Sequence, residues 1–170
     1  FALIKKDKVR LTAALDLTAL GFLIGQCVGR WGNFINREAF GAETDSFLRM
    51  GLMNKLGEVT YHHPTFLYES LWNLCGFVLL HFLSKKRRYD GQIALGYVAW
   101  YGLGRAMIEG LRTDSLWWGP FRVSQLLAAA SCLAAVAVLV VMALRKPDPE
   151  NLFVNVVAKR EASALEAAEA

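Results

Sequence analysis

The stretch "LAAVAVLVVMAL" closes a segment, about Phe121–Leu144, that is long and oily enough to cross a bilayer. A helix rising 1.5 Å per residue needs roughly 20 mostly apolar residues for that span. Three more segments meet the length with some polar residues in them: about Leu11–Val28, Pro64–Leu83 and Gly91–Leu111. This pattern predicts an all-α, polytopic helical bundle with about four transmembrane helices. A soluble all-helical bundle is the competing reading, because the first three segments are not purely apolar. Composition favours the membrane: 55% of the 170 residues are hydrophobic and mean hydropathy is +0.30, with the surplus gathered in blocks.

Basic residues orient the bundle. Lys5, Lys6, Lys8 and Arg10 precede the first segment, Lys85, Lys86, Arg87 and Arg88 separate the second from the third, and Arg145 and Lys146 follow the fourth. With four spans these all fall on one side, which the positive-inside rule makes cytoplasmic. The formal net charge of +4 therefore serves topology, and its clustering in short runs argues against nucleic acid as a partner. The opposite side receives residues 42–63, too polar to span and expected to form a small extracytoplasmic lobe, and the link Thr113–Pro120, where Trp117 and Trp118 suit an interfacial aromatic belt. Residues 1–146 read as the membrane-embedded domain and 147–170 as a polar cytoplasmic tail. The opening "FALIKKDK", without an initiator methionine, reads as the end of an earlier apolar segment in an N-terminally truncated fragment. Cys27, Cys75 and Cys132 lie inside apolar segments without metal-ligand spacing and read as buried free thiols; no metal or cofactor is implied.

Polar residues punctuate the outer ends. Gly21, Gly25 and Gly29 stack on one face of the first helix, where helix packing is the simplest use. Beside them Gln26, Arg30 and Asn33 form a polar stripe at i, i+4, i+7. Tyr101, Arg105, Glu109 and Arg112 share a face of the third helix, with Arg105 roughly 10 Å below Arg112. A charge at that depth costs ~2.5 kcal/mol or more, so Arg105 needs a partner such as Glu109 or a task. The second helix opens with His62, His63 and Pro64, followed a turn later by Tyr68 and Glu69. Orientation brings all three groups to one membrane face. Two arginines there suit a phosphate, which their planar N–H forks match, and a phosphate at the outer leaflet is a phospholipid head group.

"GRWGNFINREAFG" (29–41) resembles the signature of bacterial prolipoprotein diacylglyceryl transferases, G-R-x-G-N-F-x-N-x-E-x-x-G, through Gly29, Arg30, Gly32, Asn33, Phe34, Asn36, Glu38 and Gly41. "HPTFLYESLWN" (63–73) and "GRAMIEGLRTDSL" (104–116) are similar to two later blocks of that family, in order and at family spacing. The resemblance covers essentially residues 1–145. It implies transfer of the diacylglyceryl group of phosphatidylglycerol to the thiol of the lipobox cysteine of a prolipoprotein, with release of glycerol-1-phosphate, at the outer face of the bacterial plasma membrane. Family members have seven spans and a histidine–glycine motif in their N-terminal half. The four spans here correspond to the last four, so this fragment alone is expected to be inactive. The resemblance implies Arg30, Glu38, Arg105 and Glu109 as catalytic residues, and Arg30, Asn33, Asn36, Gly41, His63, Tyr68, Arg105 and Arg112 as phosphatidylglycerol-binding residues. The two arginines would neutralise the leaving phosphate. The base that takes the thiol proton stays open among Glu38, Glu109, His63 and the histidine of the absent motif. A transporter or channel fragment is the alternative, since intramembrane polar residues also mark solute paths; it calls for polar residues through the whole depth, whereas only Asp16 and His81 lie toward the cytoplasmic end. A purely structural membrane subunit leaves Arg105 and the Asn33/Asn36 pair without a task.

Overall fold

The computed structural model describes residues 9–53, 57–111, 117–118 and 121–169. Four helices build the body: α1 (Leu11–Asn36), α2 (Thr65–Ser84), α3 (Gln92–Ile108) and α4 (Val123–Arg145). α1, α2 and α4 are long and apolar enough to cross a membrane. α3, expected to be a span of about Gly91–Leu111, is a 17-residue α-helix continued by a 3-10 turn at Glu109–Leu111. It forms the middle of the bundle, packing against each of the other three helices.

A small apolar core of Ala19, Leu23, Leu80 and Ile93 joins α1, α2 and α3, but the rest of the burial pattern departs from that of a soluble bundle. Leu17, Phe22, Val28, Leu133 and Leu144 are exposed, whereas Asp16, Thr65, Glu69, Ser70, Asn73 and Glu109 are buried. In water such a surface would be costly; in lipid the apolar exterior is solvated and the polar groups must find partners inside. The chain is an all-α integral membrane bundle.

The register between helices is set by polar contacts and by close backbone approach. Ser70 of α2 is shared by α1: its hydroxyl donates to the Cys27 carbonyl (2.9 Å) and accepts from Trp31 Nε1 (3.2 Å). Trp72 and Trp100 stack with ring centroids 4.4 Å apart, and each indole N–H donates to the other residue's carbonyl (3.1 and 3.0 Å). That clasp requires glycine opposite each ring: a Cβ on Gly104 would collide with Trp72, and one on Gly76 with Trp100. Gly102 likewise lets α3 approach α4, where a Cβ would come within 2.7 Å of the Ala128 carbonyl. The glycine stripe of α1 is a correction to the sequence reading: nothing lies within 4 Å of a Cβ built on Gly21, Gly25 or Gly29, so these residues serve no tight packing among the described residues. The cysteines are free, as expected, but they are not deeply buried; Cys27 and Cys132 are half-buried and Cys75 is exposed on α2.

Asp16, in the sequence a stray polar residue, caps α3. Its carboxylate accepts from the backbone N–H groups of Gly91, Ile93 and Ala94, each at 2.9 Å. It takes up the orphan donors of a helix start from a neighbouring helix. Burial, reinforced by this carboxylate, pushes the nearby Tyr89 phenol up from its ordinary range. Asp16→Asn, which retains one acceptor oxygen, is expected to cost about 1–2 kcal/mol, read as a lower midpoint in thermal or denaturant unfolding of the detergent-solubilised protein.

At the same end Asp90 pairs with Arg10 (3.3 Å) and accepts from the Phe153 backbone N–H (3.0 Å), while Arg10 donates to the Asn151 carbonyl (2.7 Å). The segment after Pro147 is therefore tied to the loop between α2 and α3, and it continues as α5 (Phe153–Glu169). At the opposite end the expected lobe is a β-hairpin, β1 (Met50–Met53) antiparallel to β2 (Val59–His62), with Glu43 bridged to His62 on the other edge of β2. A second, short hairpin, β3 (Trp117–Trp118) with β4 (Phe121–Arg122), leads into α4. The rings of Trp117 and Trp118, and Lys5, Lys6 and Lys8, lie outside what is described.

Candidate functional site

The two locks place three charged side chains opposite one another. Ser70 holds α2 against the turn of α1 that carries Cys27 and Trp31, which sets the adjacent Arg30 against the adjacent Glu69. The Trp72–Trp100 clasp holds α2 against α3, which brings Arg105, just beyond Trp100, to the same carboxylate. Glu69 Oε2 pairs with Arg30 Nη2, and Glu69 Oε1 faces Arg105 Nη1 at 3.7 Å. Arg105 Nη2 also pairs with Glu109 at 2.8 Å, one turn along α3. Glu109 is 2% exposed and is held from α4, where Ser124 donates to its Oε1 (2.6 Å) and Arg122 donates to its backbone carbonyl. Buried charges persist only when paired and hydrogen-bonded, and this cluster meets that condition across all four helices.

Arg30, Asn33, Glu38, Arg105 and Glu109 are expected from the sequence to line one cavity; of these Arg30 and Arg105 meet at Glu69 and Arg105 pairs with Glu109, while Glu38 is exposed and bonded to Asn36. In the sequence Glu69 stands out only as a residue one turn into α2. Its signal was available: a carboxylate beside an intramembrane arginine pair is the natural counter-charge.

The remaining candidates divide. Asn33 is half-buried on α1, and its carbonyl accepts from the backbone N–H groups of Arg37 and Glu38 at the helix end. Asn36 and Glu38 are exposed and bond to each other, Asn36 Nδ2 donating to Glu38 Oε1 at 3.1 Å. The chain turns sharply here: Arg37 and Ala39 hold φ of 53° and 54°, in the left-handed region. Non-glycine residues there carry strain of order 1 kcal/mol each, a feature that clusters at functional sites. Gly41 is a junction: its N–H donates to the His63 carbonyl (2.9 Å), and a Cβ would crowd His63, Thr65 and the Leu111 carbonyl. His63 Nδ1 lies 3.2 Å from the Tyr68 hydroxyl, so these two act as a unit at the start of α2. His62 is occupied in the lobe, with Nδ1 3.0 Å from the Gly41 carbonyl and Nε2 3.0 Å from Thr60 Oγ1. Thr65 Oγ1 donates to the Ala39 carbonyl, tying the signature turn to α2. Arg112 lies outside the described residues.

A membrane-embedded helical bundle with two inward arginines sharing a carboxylate defines a class: an integral membrane protein with a buried arginine–carboxylate cluster joining its helices. The family model for prolipoprotein diacylglyceryl transferase matches residues 1–141. The chain belongs to the prolipoprotein diacylglyceryl transferase family. It is 41% identical over 163 residues to the phosphatidylglycerol–prolipoprotein diacylglyceryl transferase of Listeria monocytogenes serotype 4a (strain HCC23), covering 90% of this chain and 59% of that protein. Against the enzyme of the same name from Enterococcus faecalis (strain ATCC 700802 / V583) identity is 44% over 153 residues, covering 83% and 53%. With that of Bacillus cereus (strain B4264) it is 40% over 149 residues, covering 84% and 54%. The chain thus spans between half and three-fifths of the length of these curated relatives.

Proposed function

We propose that this chain carries the phosphatidylglycerol-handling half of a diacylglyceryl transferase, acting at the extracytoplasmic face of a bacterial plasma membrane. The reaction moves the diacylglyceryl group from phosphatidylglycerol to the lipobox cysteine of a prolipoprotein. The thiolate sulfur attacks the glyceryl carbon that bears the phosphate ester. A C–S bond forms, the C–O bond breaks, its electron pair stays on the phosphate, and glycerol-1-phosphate leaves.

The observation that carries this reading is the meeting of Arg30 and Arg105, from separate helices, on one carboxylate. Two guanidinium groups preorganised in a low-dielectric site stabilise charge gathering on a departing phosphate. Glu109, already held by Ser124, is assigned to keep Arg105 in place. With Glu109 so assigned, the candidates within this chain for taking the thiol proton are Glu38 and His63, the exposed carboxylate and the half-buried imidazole. Asn33, Asn36, Gly41, Tyr68 and Arg112 are assigned to the lipid head group. Residues 1–146 form the membrane domain, and 147–170 a cytoplasmic tail anchored through Asp90.

The test is transfer by the full-length protein from phosphatidylglycerol to a lipobox peptide, read as the mass gain of one diacylglyceryl group and equimolar glycerol-1-phosphate. Solute flux across proteoliposomes without any such transfer would favour the transporter reading instead. Orientation has its own check. Single cysteines introduced at positions in 42–53 are expected to react with a membrane-impermeant maleimide from outside intact spheroplasts, while one at Asp148 reacts only after lysis. The reverse pattern would put the site at the wrong leaflet.

A further inference from the structure

Glu69 stands where a phosphate would have to go. A carboxylate and a phosphate offer the same edge of two oxygens to a guanidinium fork, and Glu69 gives one oxygen to each arginine. On its Arg105 side there is little room for a second anion. The cleft lined by Glu69, Trp72, Asn73, Tyr101, Gly104 and Arg105 holds about 10 Å³, room for roughly one water. The two carboxylates of the cluster also differ at Arg105. Glu109 is held by Ser124 at 2.6 Å and pairs with Arg105 at 2.8 Å, whereas Glu69, closely paired with Arg30, lies 3.7 Å from Arg105, beyond hydrogen-bond length. At Arg105, Glu109 is the near partner and Glu69 the one that can yield.

We propose that Glu69 is a positioning residue that holds Arg30 and Arg105 in register as a stand-in for the substrate phosphate, and that it is displaced when a phosphate binds. This rests on the phosphate-binding reading of the two arginines given above. A resident counter-ion has two consequences. It keeps two buried guanidinium groups from repelling each other when no phosphate is present. It also competes with every phosphate, so the phosphate product is bound more weakly and released faster. The apparent dissociation constant is the intrinsic one divided by the fraction of molecules whose arginines are available.

Glu69→Gln keeps the volume and removes the competing charge. In the full-length protein it is expected to tighten binding of inorganic phosphate and of glycerol-1-phosphate about tenfold or more, measured by calorimetric titration in detergent. The KM for phosphatidylglycerol should fall in parallel, and kcat should fall as product release slows. A residue of merely structural importance would lower stability without tightening either anion. Unchanged or weaker phosphate binding by the folded variant overturns the proposal. Should Glu69→Gln not fold, Glu69→Asp takes its place: the side chain one methylene shorter loses its reach to Arg105 first, and phosphate should again bind more tightly. Unchanged or weaker binding by that variant overturns the proposal equally. Arg30→Ala and Arg105→Ala separate the two levels of inference. If both bind phosphate as the parent does, the phosphate-site reading fails itself; if they lose it while Glu69→Gln gains nothing, only the displacement fails.

Discussion

Arg30→Lys in the full-length protein is expected to lower transfer from phosphatidylglycerol to a lipobox peptide by about 100-fold or more, with the protein still folded. Lysine keeps the positive charge but brings a single ammonium in place of a planar fork. In the substrate-free site that ammonium can still pair with Glu69, so the bundle should survive. The loss falls in the transition state, where the phosphate gathers charge as the C–O bond breaks. There a point charge cannot hold two oxygens in fixed geometry, and the donors would have to reorganise during the reaction. Arg105 does not compensate, because one edge of its guanidinium is already committed to Glu109 at 2.8 Å. The measurement is kcat and KM on the same phosphatidylglycerol vesicles, with thermal unfolding as the control for folding. Near-parental kcat would mean that Arg30 supplies only diffuse charge, and the catalytic assignment would pass to Arg105.

Gly104→Ala should be the most disruptive single-methyl change in the bundle. The added Cβ falls on the Trp72 indole, which is stacked on Trp100 and donates to its carbonyl. A stiff ring cannot give way as the end of a flexible chain would. Either the stack opens and a buried N–H loses its acceptor, or α2 and α3 separate. Overpacking and the lost hydrogen bond together cost about 2–4 kcal/mol. Activity should fall too, since Trp72 and Gly104 both line the cleft beside Arg105. Gly25→Ala provides the contrast: its Cβ enters open space, and alanine's helix propensity should leave stability unchanged or raised by up to about 1 kcal/mol. Unfolding midpoints of the two variants in the same detergent provide the measurement. Equal midpoints would mean that the Trp clasp does not hold the helices in register.

The sequence by itself determined the four helices, though not all their ends: the first, read as about Leu11–Val28, runs on through the signature to Asn36. Long apolar runs can satisfy their backbone in lipid only as helices, and basic clusters between them set which ends lie together. It also identified Arg30, Arg105 and Glu109, because a charge that deep in an apolar helix demands a partner, and i, i+4 spacing supplied one of them. The signature "GRWGNFINREAFG" carried the family, since its order of residue types is rare. What a one-dimensional pattern leaves open is which helix faces which, and that was decided only in three dimensions. The α1 glycines have the spacing of a packing stripe yet face open space, while Gly76, Gly102 and Gly104 bring the helices close. Asp16 looked like a stray charge until α3 began beside it and its three backbone N–H groups found their acceptor. Glu69 is the sharpest case: its role depends on Ser70 fixing α1 on one side and Trp72 fixing α2 against α3 on the other. A bilayer solvates apolar faces with little preference among them, so specific polar contacts and glycine gaps, beside the small core of Leu23, Leu80 and Ile93, choose the register that joins Arg30 and Arg105 through one carboxylate.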